Sequence, residues 1–422
     1  MTQEALSQSS SPLPQSQANA PLAFQGPLVG TRVIDLGTMF AGPFTASLMA
    51  DFGADVIKVE LPGVGDSHRG MPPVVKGVPG PWTILARNKR SISLDIRTER
   101  GKEILKRLVA TADVVVENFR PGTLEGWGLG YEVLKKINPR LIMVRISGYG
   151  QTGPDRHKAG FGTPATAFSG LTYMQGFPDR PPVSPPLALA DYVAGTFGAM
   201  AAMMALYHLK VNGDPEGQQV DIALYEPIFR MLEAPLADYD LTGRVRERGG
   251  HIQRGAAPAG AFQCGDGKWV VMVTSTDRTF NRLAEAMGRS DLLTDPRYDT
   301  GAHRVEHREE ITSIVQDWFS RHPAAEVLKI LDDNGVPICP INSMADIFEN
   351  PQYRDRENLI KVDHPILGKV TMPNVVPKFS KTPGAVRTPG PVTVGEHNRE
   401  IYQTELGMTD EELETLKAEG VI

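Results

Sequence analysis

From Gly30 to Asp66 the chain reads GTRVIDLGTMFAGPFTASLMADFGADVIKVELPGVGD, and the rhythm of its apolar positions changes twice. The β-branched run at Arg32–Leu36 predicts a strand, Gly37–Pro43 a turn, Phe44–Phe52 an amphipathic helix and Asp55–Glu60 a second strand. These make one βαβ unit, and hence a parallel sheet. Gly42 and Pro43 stand where the helix should open, so free backbone N–H groups and the positive end of the helix dipole would face an anion at the end of the first strand. The spacing is not the G-x-G-x-x-G of a dinucleotide site, and a plain turn before a helix accounts for the same residues.

The alternation recurs downstream. Strands are predicted at Ser91–Asp95, Asp113–Glu117, Arg140–Ser147 and Gln218–Leu224, with a helix opening near Thr98. Two of these strands run into ENFRPGTLEGWGLG and GYGQTGP, which carry Asn118, Arg120, Gly122, Gly148, Tyr149 and Gly150 to the edge where open α/β sheets collect ligands. Arg87, Lys89 and Arg90 cluster at a strand entrance, either as a solvated rim or as a phosphate receiver. Asp191 stands just before an apolar helix of about five turns, Tyr192–Leu209. Two readings of it share one physics. As a cap its carboxylate accepts N–H bonds worth about 0.5–2 kcal/mol; as a nucleophile it is kept ionised by the same helix end. Gly195 and Gly198 would let another backbone approach this helix closely, and the apolar run Val193–Leu206 is short for a membrane span, so a buried helix is expected.

Composition narrows the class. A chain of 422 residues with 41% hydrophobic residues is expected to form more than one domain. A net charge of −6 offers no bulk attraction for nucleic acid or an anionic membrane, so any anionic ligand must be met by a local cluster. Cys264 and Cys339 are far apart and in no ligand spacing, which predicts neither a disulfide framework nor a metal site and fits a cytoplasmic protein. Residues 1–25, rich in Ser, Gln, Pro and Ala, predict a disordered tail and not a targeting signal. After RERGGHIQRGAAPAGAF, a Gly-rich loop, come a hairpin turning at Cys264–Lys268 and helices near Asp277–Met287, His307–Ser320 and Pro323–Asn334. A crossing segment with Pro337 and Pro340, a Pro/Gly-rich stretch (Pro373–Pro391) and a helix from about Glu396 follow.

The segments GTRVIDLGTMFAGPFTASLMADFGADVIKVE, NKRSISLD, DVVVENFRPGTLEGWGLG, RISGYGQTGP, ALADYVAGT and VTVGEHNREIYQTELG occur in this order, and together they resemble the class III CoA-transferases, the group of the formyl-CoA:oxalate and carnitine CoA-transferases. The resemblance implies a Rossmann-like large α/β domain built from both chain ends (26–226 and 345–422), a small inserted α/β domain (227–344), and an interlocked homodimer or a pairing with a related second subunit. It implies Asp191 as the catalytic residue, with Met39, Phe40, Ala41, Leu94, Arg97, Asn118, Phe119 and Tyr149 lining a coenzyme A site. Leu61 and Gly126 stand where the formyl-CoA enzyme uses arginines on the nucleotide, so Arg90, Arg97 and Arg120 are the candidates to compensate. The Gly-rich loop with Gly249, Gly250, His251, Arg254 and Gly255 would cover the site. The implied reaction moves CoA from an acyl-CoA, of a dicarboxylic acid such as succinate, to a carboxylic acid acceptor, without a metal. Two alternatives stay open. One is a 2-methylacyl-CoA racemase-type isomerase, against which Phe161 stands at the racemase-like histidine position; the other is a non-catalytic acyl-CoA-binding subunit, against which Asp191 counts.

Overall fold

The computed structural model describes residues 26–250 and 255–422. Strands β1 (Arg32–Asp35), β2 (Asp55–Glu60), β3 (Lys89–Ser93), β4 (Val114–Glu117), β5 (Ile142–Ser147) and β6 (Gln219–Ala223) form one sheet in the order β3-β2-β1-β4-β5-β6, every neighbouring pair parallel. The order reverses between β1 and β4. Loops leaving these two strands diverge, and the crevice between them lies at the strands' carboxyl ends.

Both faces of this sheet are covered, as a parallel sheet requires. Successive side chains of a strand point to opposite faces. Ile34, Ile57, Ile92, Val115 and Met143 thus pack with Leu105 and Leu108 of α1 (Glu99–Val109) and with the C-terminal Tyr402, Leu413 and Leu416. Val33, Val56, Val114, Val116 and Val144 pack instead with the helix Ala41–Asp51, here the nucleus helix, and with α2 (Leu189–Val211). The nucleus helix differs from its expected form. It begins at Ala41, with Gly42 and Pro43 inside the first turn where a missing N–H costs nothing, and it is buried around most of its circumference. α2 begins at Leu189, one turn ahead of the expected start, and runs 23 residues.

Gly195 and Gly198 do allow the close approach expected of them. A Cβ on Gly195 would lie 2.8 Å from the Ala41 carbonyl oxygen, and one on Gly198 would lie 2.7 Å from Thr45 Oγ1. Thr45 Oγ1 donates 3.0 Å to the Gly195 carbonyl, tying the two helices together through groups that a side chain would separate.

Strands β7 (Ala259–Gln263), β8 (Trp269–Val273) and β9 (Ile338–Pro340) form a second, antiparallel sheet in the order β9-β8-β7. Phe262, Val270 and Met272 from it meet Leu283, Phe319 and Val327 of three helices in a separate core. An antiparallel hairpin, Leu359–His364 with Gly368–Pro373, was not foreseen in the sequence. The chain then returns to the large sheet: Trp82 Nε1 and Arg69 Nη1 donate to the Pro391 carbonyl, and Tyr402 Oη donates 2.7 Å to the Ser93 carbonyl. The expected helix from Glu396 is a π-helical turn at Glu400–Glu405, followed by a helix at Asp410–Ala418 opened by a Thr409/Glu412 capping box.

Candidate active site

At the reversal point the loops after β1 and β4 are stitched together. Thr38 N–H donates 2.7 Å to Asn118 Oδ1, and Asn118 Nδ2 donates 2.8 Å back to the Thr38 carbonyl. Above this pair opens a cavity of about 230 Å³ whose wall includes Met39, Phe40, Ala41, Asn118, Ile146, Phe161, Leu224 and Asp191. Asp191 is the one ionisable side chain among the described residues of that wall.

Asp191 does not cap α2. The N-cap position is Ala188, which makes no side-chain bond, and Asp191 is the third residue of the first turn. No described side chain hydrogen-bonds to its carboxylate. Burial pushes its pKa up to about 6, against the pull of its own backbone N–H. The helix end therefore does not keep this acid at an ordinary carboxylate pKa; desolvation wins. At neutral pH it is still ionised, and poorly solvated. A Cβ on Gly162 would sit 1.8 Å from Asp191 Oδ2, so the start of the Gly162–Phe168 helix lies directly against the carboxylate. Tyr192, next in sequence, packs edge-on to Phe40 and Phe44, which fixes the other flank.

The turn that forms the cavity's floor is held from beneath by buried charges. Asp35 Oδ1 accepts from Gly37 N at 3.0 Å, and Lys58 Nζ donates to the Gly37 carbonyl. Lys89 Nζ bonds Asp35 Oδ2 at 2.8 Å and the Pro43 carbonyl at 2.6 Å. Asp66 Oδ1 accepts from Met39 N at 3.0 Å, while Lys58 Nζ lies 3.0 Å from Asp66 Oδ2. Burial works to push the Asp66 carboxyl up, but the Lys58 ammonium and the His68 and Met39 N–H groups outweigh it and hold it below its ordinary value. Met39 has φ +63°, a left-handed conformation that costs a non-glycine residue on the order of 1–3 kcal/mol.

A second cleft, of about 280 Å³, adjoins the first through Thr38 and is bordered by Leu61, Leu94, Asp95, Arg97, Phe119 and Trp127. The candidate coenzyme positions thus divide between two connected hollows, Met39–Ala41 and Asn118 on one and Leu94, Arg97 and Phe119 on the other. Arg97 is exposed and, among the described residues, pairs with Asp95 alone, at 2.7 Å. Tyr149 lines neither; its ring packs on Phe168 and Tyr225, behind Gly148 of the cavity wall. Arg120 is exposed and borders neither hollow. Gly126 faces open space.

Arg90 is a correction. It binds Asp55, Glu400 and Glu405, and Asp55 is the first residue of β2, so its guanidinium serves the amino-terminal end of the sheet, away from the crevice. The basic cluster around it is likewise internal, Arg87 bound to Asp51 and Lys89 to Asp35. Alternating polar residues in an edge strand look alike from sequence whether they face water or buried carboxylates.

The described glycines of the loop expected over the site also lie away from the Asp191 cavity. Gly250 N–H donates 2.9 Å to the Gly176 carbonyl, and Arg248 donates to the Tyr173 and Phe177 carbonyls. Gly255 borders a different, polar cleft beside Arg244 and Glu306. Neither these glycines nor Gly249 lines the Asp191 cavity. His251 and Arg254 lie outside the described residues. Gly162, Lys58, Asp66 and Asp35 carry no motif that marks them in the sequence; the one signal for Gly162 is its place next to Phe161 in the segment AGFGTPA.

The chain matches the CoA-transferase family III model over residues 28–398. It is 45% identical over 402 residues to succinyl-CoA–D-citramalate CoA-transferase of Chloroflexus aurantiacus, covering 94% of this chain and 98% of that one. It is also 45% identical over 400 residues to the succinyl-CoA–L-malate CoA-transferase beta subunit of the same organism, covering 94% and 98%. The crystal structure of a CAIB/BAIF family protein from Brucella suis superposes with a TM-score of 0.80 at 33% identity, covering 90% of this chain and 99% of that chain. A parallel α/β sheet, a buried carboxylate at its switch point and these matches lead to one conclusion: the chain belongs to CoA-transferase family III and is an enzyme that transfers CoA between a CoA thioester and a carboxylic acid.

Proposed function

We propose that the Asp191 cavity is the acyl-transfer centre, with succinyl-CoA as donor and a second dicarboxylic acid as acceptor. The observation that carries this is a poorly solvated carboxylate, with no side-chain partner among the described residues, as the one ionisable group of a cavity at the strand ends. The donor class is supported by relatives named for succinyl-CoA. The described cavity wall offers no cation for the far carboxylate of such an acid, so His251 and Arg254 remain the proposed contacts.

In this mechanism Asp191 attacks the thioester carbonyl; the C–S bond breaks, giving a mixed anhydride and CoA thiolate. The thiolate then attacks the aspartyl carbonyl, the anhydride C–O bond breaks, and succinate leaves from an aspartyl-CoA thioester. The acceptor carboxylate repeats the two steps in reverse order. Partial desolvation makes Asp191 a better nucleophile than a hydrated carboxylate, and apolar walls from Phe40, Ile146 and Leu224 limit water that would hydrolyse the anhydride. The second cleft is the proposed nucleotide site, with Arg97 freed from Asp95 to meet phosphate and Phe119 beside the base. An isomerase would need an acid and a base astride the α-carbon, whereas Phe161 in the cavity wall can be neither.

The test is a trap. Incubation with succinyl-CoA and hydroxylamine should modify one peptide, that of Asp191, and Asp191→Asn should lose transfer by at least about 10³-fold while keeping its circular dichroism spectrum. An active Asn variant, or a label on another carboxylate, overturns the proposal.

A further inference from the structure

The floor of the cavity is a turn whose shape its own sequence does not favour. Met39 is a flexible, unbranched residue with no local hydrogen bond to stabilise φ +63°, and an isolated turn of this sequence would leave that conformation. What keeps it there lies outside the turn, 27 residues on: the Met39 N–H ends on Asp66 Oδ1. Asp66 is itself immobile. Its side chain is buried, its second oxygen faces Lys58, and Lys58 also holds the Gly37 carbonyl. The same Oδ1 accepts the His68 N–H at 2.8 Å, seating the His68 ring edge-on against Phe40 of the cavity wall.

We propose that Asp66 is a positioning residue for acyl transfer: its carboxylate, locked by Lys58, holds Met39 in the left-handed conformation that places the Met39–Ala41 backbone beside Asp191. Asp66 borders the second cleft and not the cavity, so it touches the chemistry only through this turn. Loss of the clamp should let Met39 relax towards negative φ and displace the backbone that faces the reacting carbonyl. A turn geometry set to within a fraction of an ångström matters for the rate of attack more than for the binding of the nucleotide.

This rests on the reading of the Asp191 cavity as the transfer centre, and the two fail separately. Single-turnover trapping with succinyl-CoA and hydroxylamine is measured for Asp66→Ala alone and in a Met39→Gly background, with CoA affinity read by calorimetry. Glycine adopts positive φ without help, so the two positions should couple. At saturating succinyl-CoA, Asp66→Ala is expected to slow trapping by about tenfold or more, and by less than about threefold once residue 39 is Gly; because Asp66 also borders the second cleft, any change in CoA affinity is expected to be the same in both backgrounds. Equal losses in both backgrounds, or a folded Asp66→Ala within about twofold of wild type, would overturn the proposal. If Asp66→Ala does not fold by circular dichroism, Asp66→Leu, which fills similar space without an acceptor for the Met39 N–H, is read by the same coupling. Full trapping in Asp191→Asn would instead remove the catalytic reading itself, whatever the Asp66 variants do.

Discussion

Asp191 is costly to keep ionised, and that cost is measurable. Its pKa in the fold, about 6, lies above the ordinary carboxylate value of 3.8, so the folded state binds the proton more tightly than the unfolded one. Stability contributed by the protonated form is present below the unfolded value and is lost as pH rises through the folded one. Replacing the acid by a neutral isostere removes this penalty: Asp191→Asn is expected to melt at a higher temperature than wild type near pH 8, with the gap closing below about pH 4. Thermal melts across that range check it, and a wild type that melts higher than the variant near pH 8 would refute it. Activity runs the other way. Only the carboxylate attacks, so the single-turnover rate should fall on the acid side with a midpoint near 6, to about a tenth one unit lower. The sequence showed Asp191 because an acid ahead of a long apolar run is conspicuous. It did not show Lys58 or Asp66, since a lysine within VIKVE and an aspartate within PGVGD read as ordinary exposed positions until the fold buries both.

Between elements, two glycines separate function from stability. Gly162 brings the start of one helix onto the Asp191 carboxylate; the clashing atom is the end of a side chain, which can rotate away. Gly162→Ala is therefore expected to fold and to lose at least about 100-fold in trapping rate, because the rotated carboxylate no longer meets the thioester. Activity near wild type would show that the carboxylate has a second productive rotamer. Gly195 is different, because its neighbour is the Ala41 carbonyl, a backbone atom 2.8 Å from the missing Cβ. Alanine gains about 0.5–1 kcal/mol of helix preference over glycine, yet overpacking against backbone costs about 1–3 kcal/mol, so Gly195→Ala should lower the urea midpoint. An unchanged or raised midpoint would mean that α2 can slide. The βαβ order was legible because β1, β4 and β5 are short apolar runs followed closely by Gly37, Asn118 and Gly148. The hairpin Leu359–His364/Gly368–Pro373 was not, since its burial is irregular and its faces depend on chain far away in sequence.

At the scale of the molecule, what the sequence could not convey is what covers α2. Its inner face meets the sheet and the nucleus helix, whereas Met200, Met204, Tyr207 and Val211, spaced by four, three and four residues, are 44%, 62%, 64% and 59% exposed. Single exposed apolar side chains are normal, but a stripe along three turns is the mark of an interface. Phe229, Met231, Leu236 and Tyr239 extend the apolar surface over the segment that follows β6. A helix apolar on both faces is also why the run read as wholly buried. We propose a second copy of this chain as the cover. Sedimentation velocity at micromolar concentration is expected to give a dimer for wild type. Met204→Glu with Tyr207→Glu places two carboxylates in the stripe, each costing about 1–3 kcal/mol or more to bury unpaired, and should give a monomer with an unchanged circular dichroism spectrum. Loss of trapping at Asp191 in that monomer would show that the partner completes the site, and full trapping would show that each chain is sufficient. A wild type that sediments as a fully active monomer would leave the stripe to some other partner and would overturn the dimer.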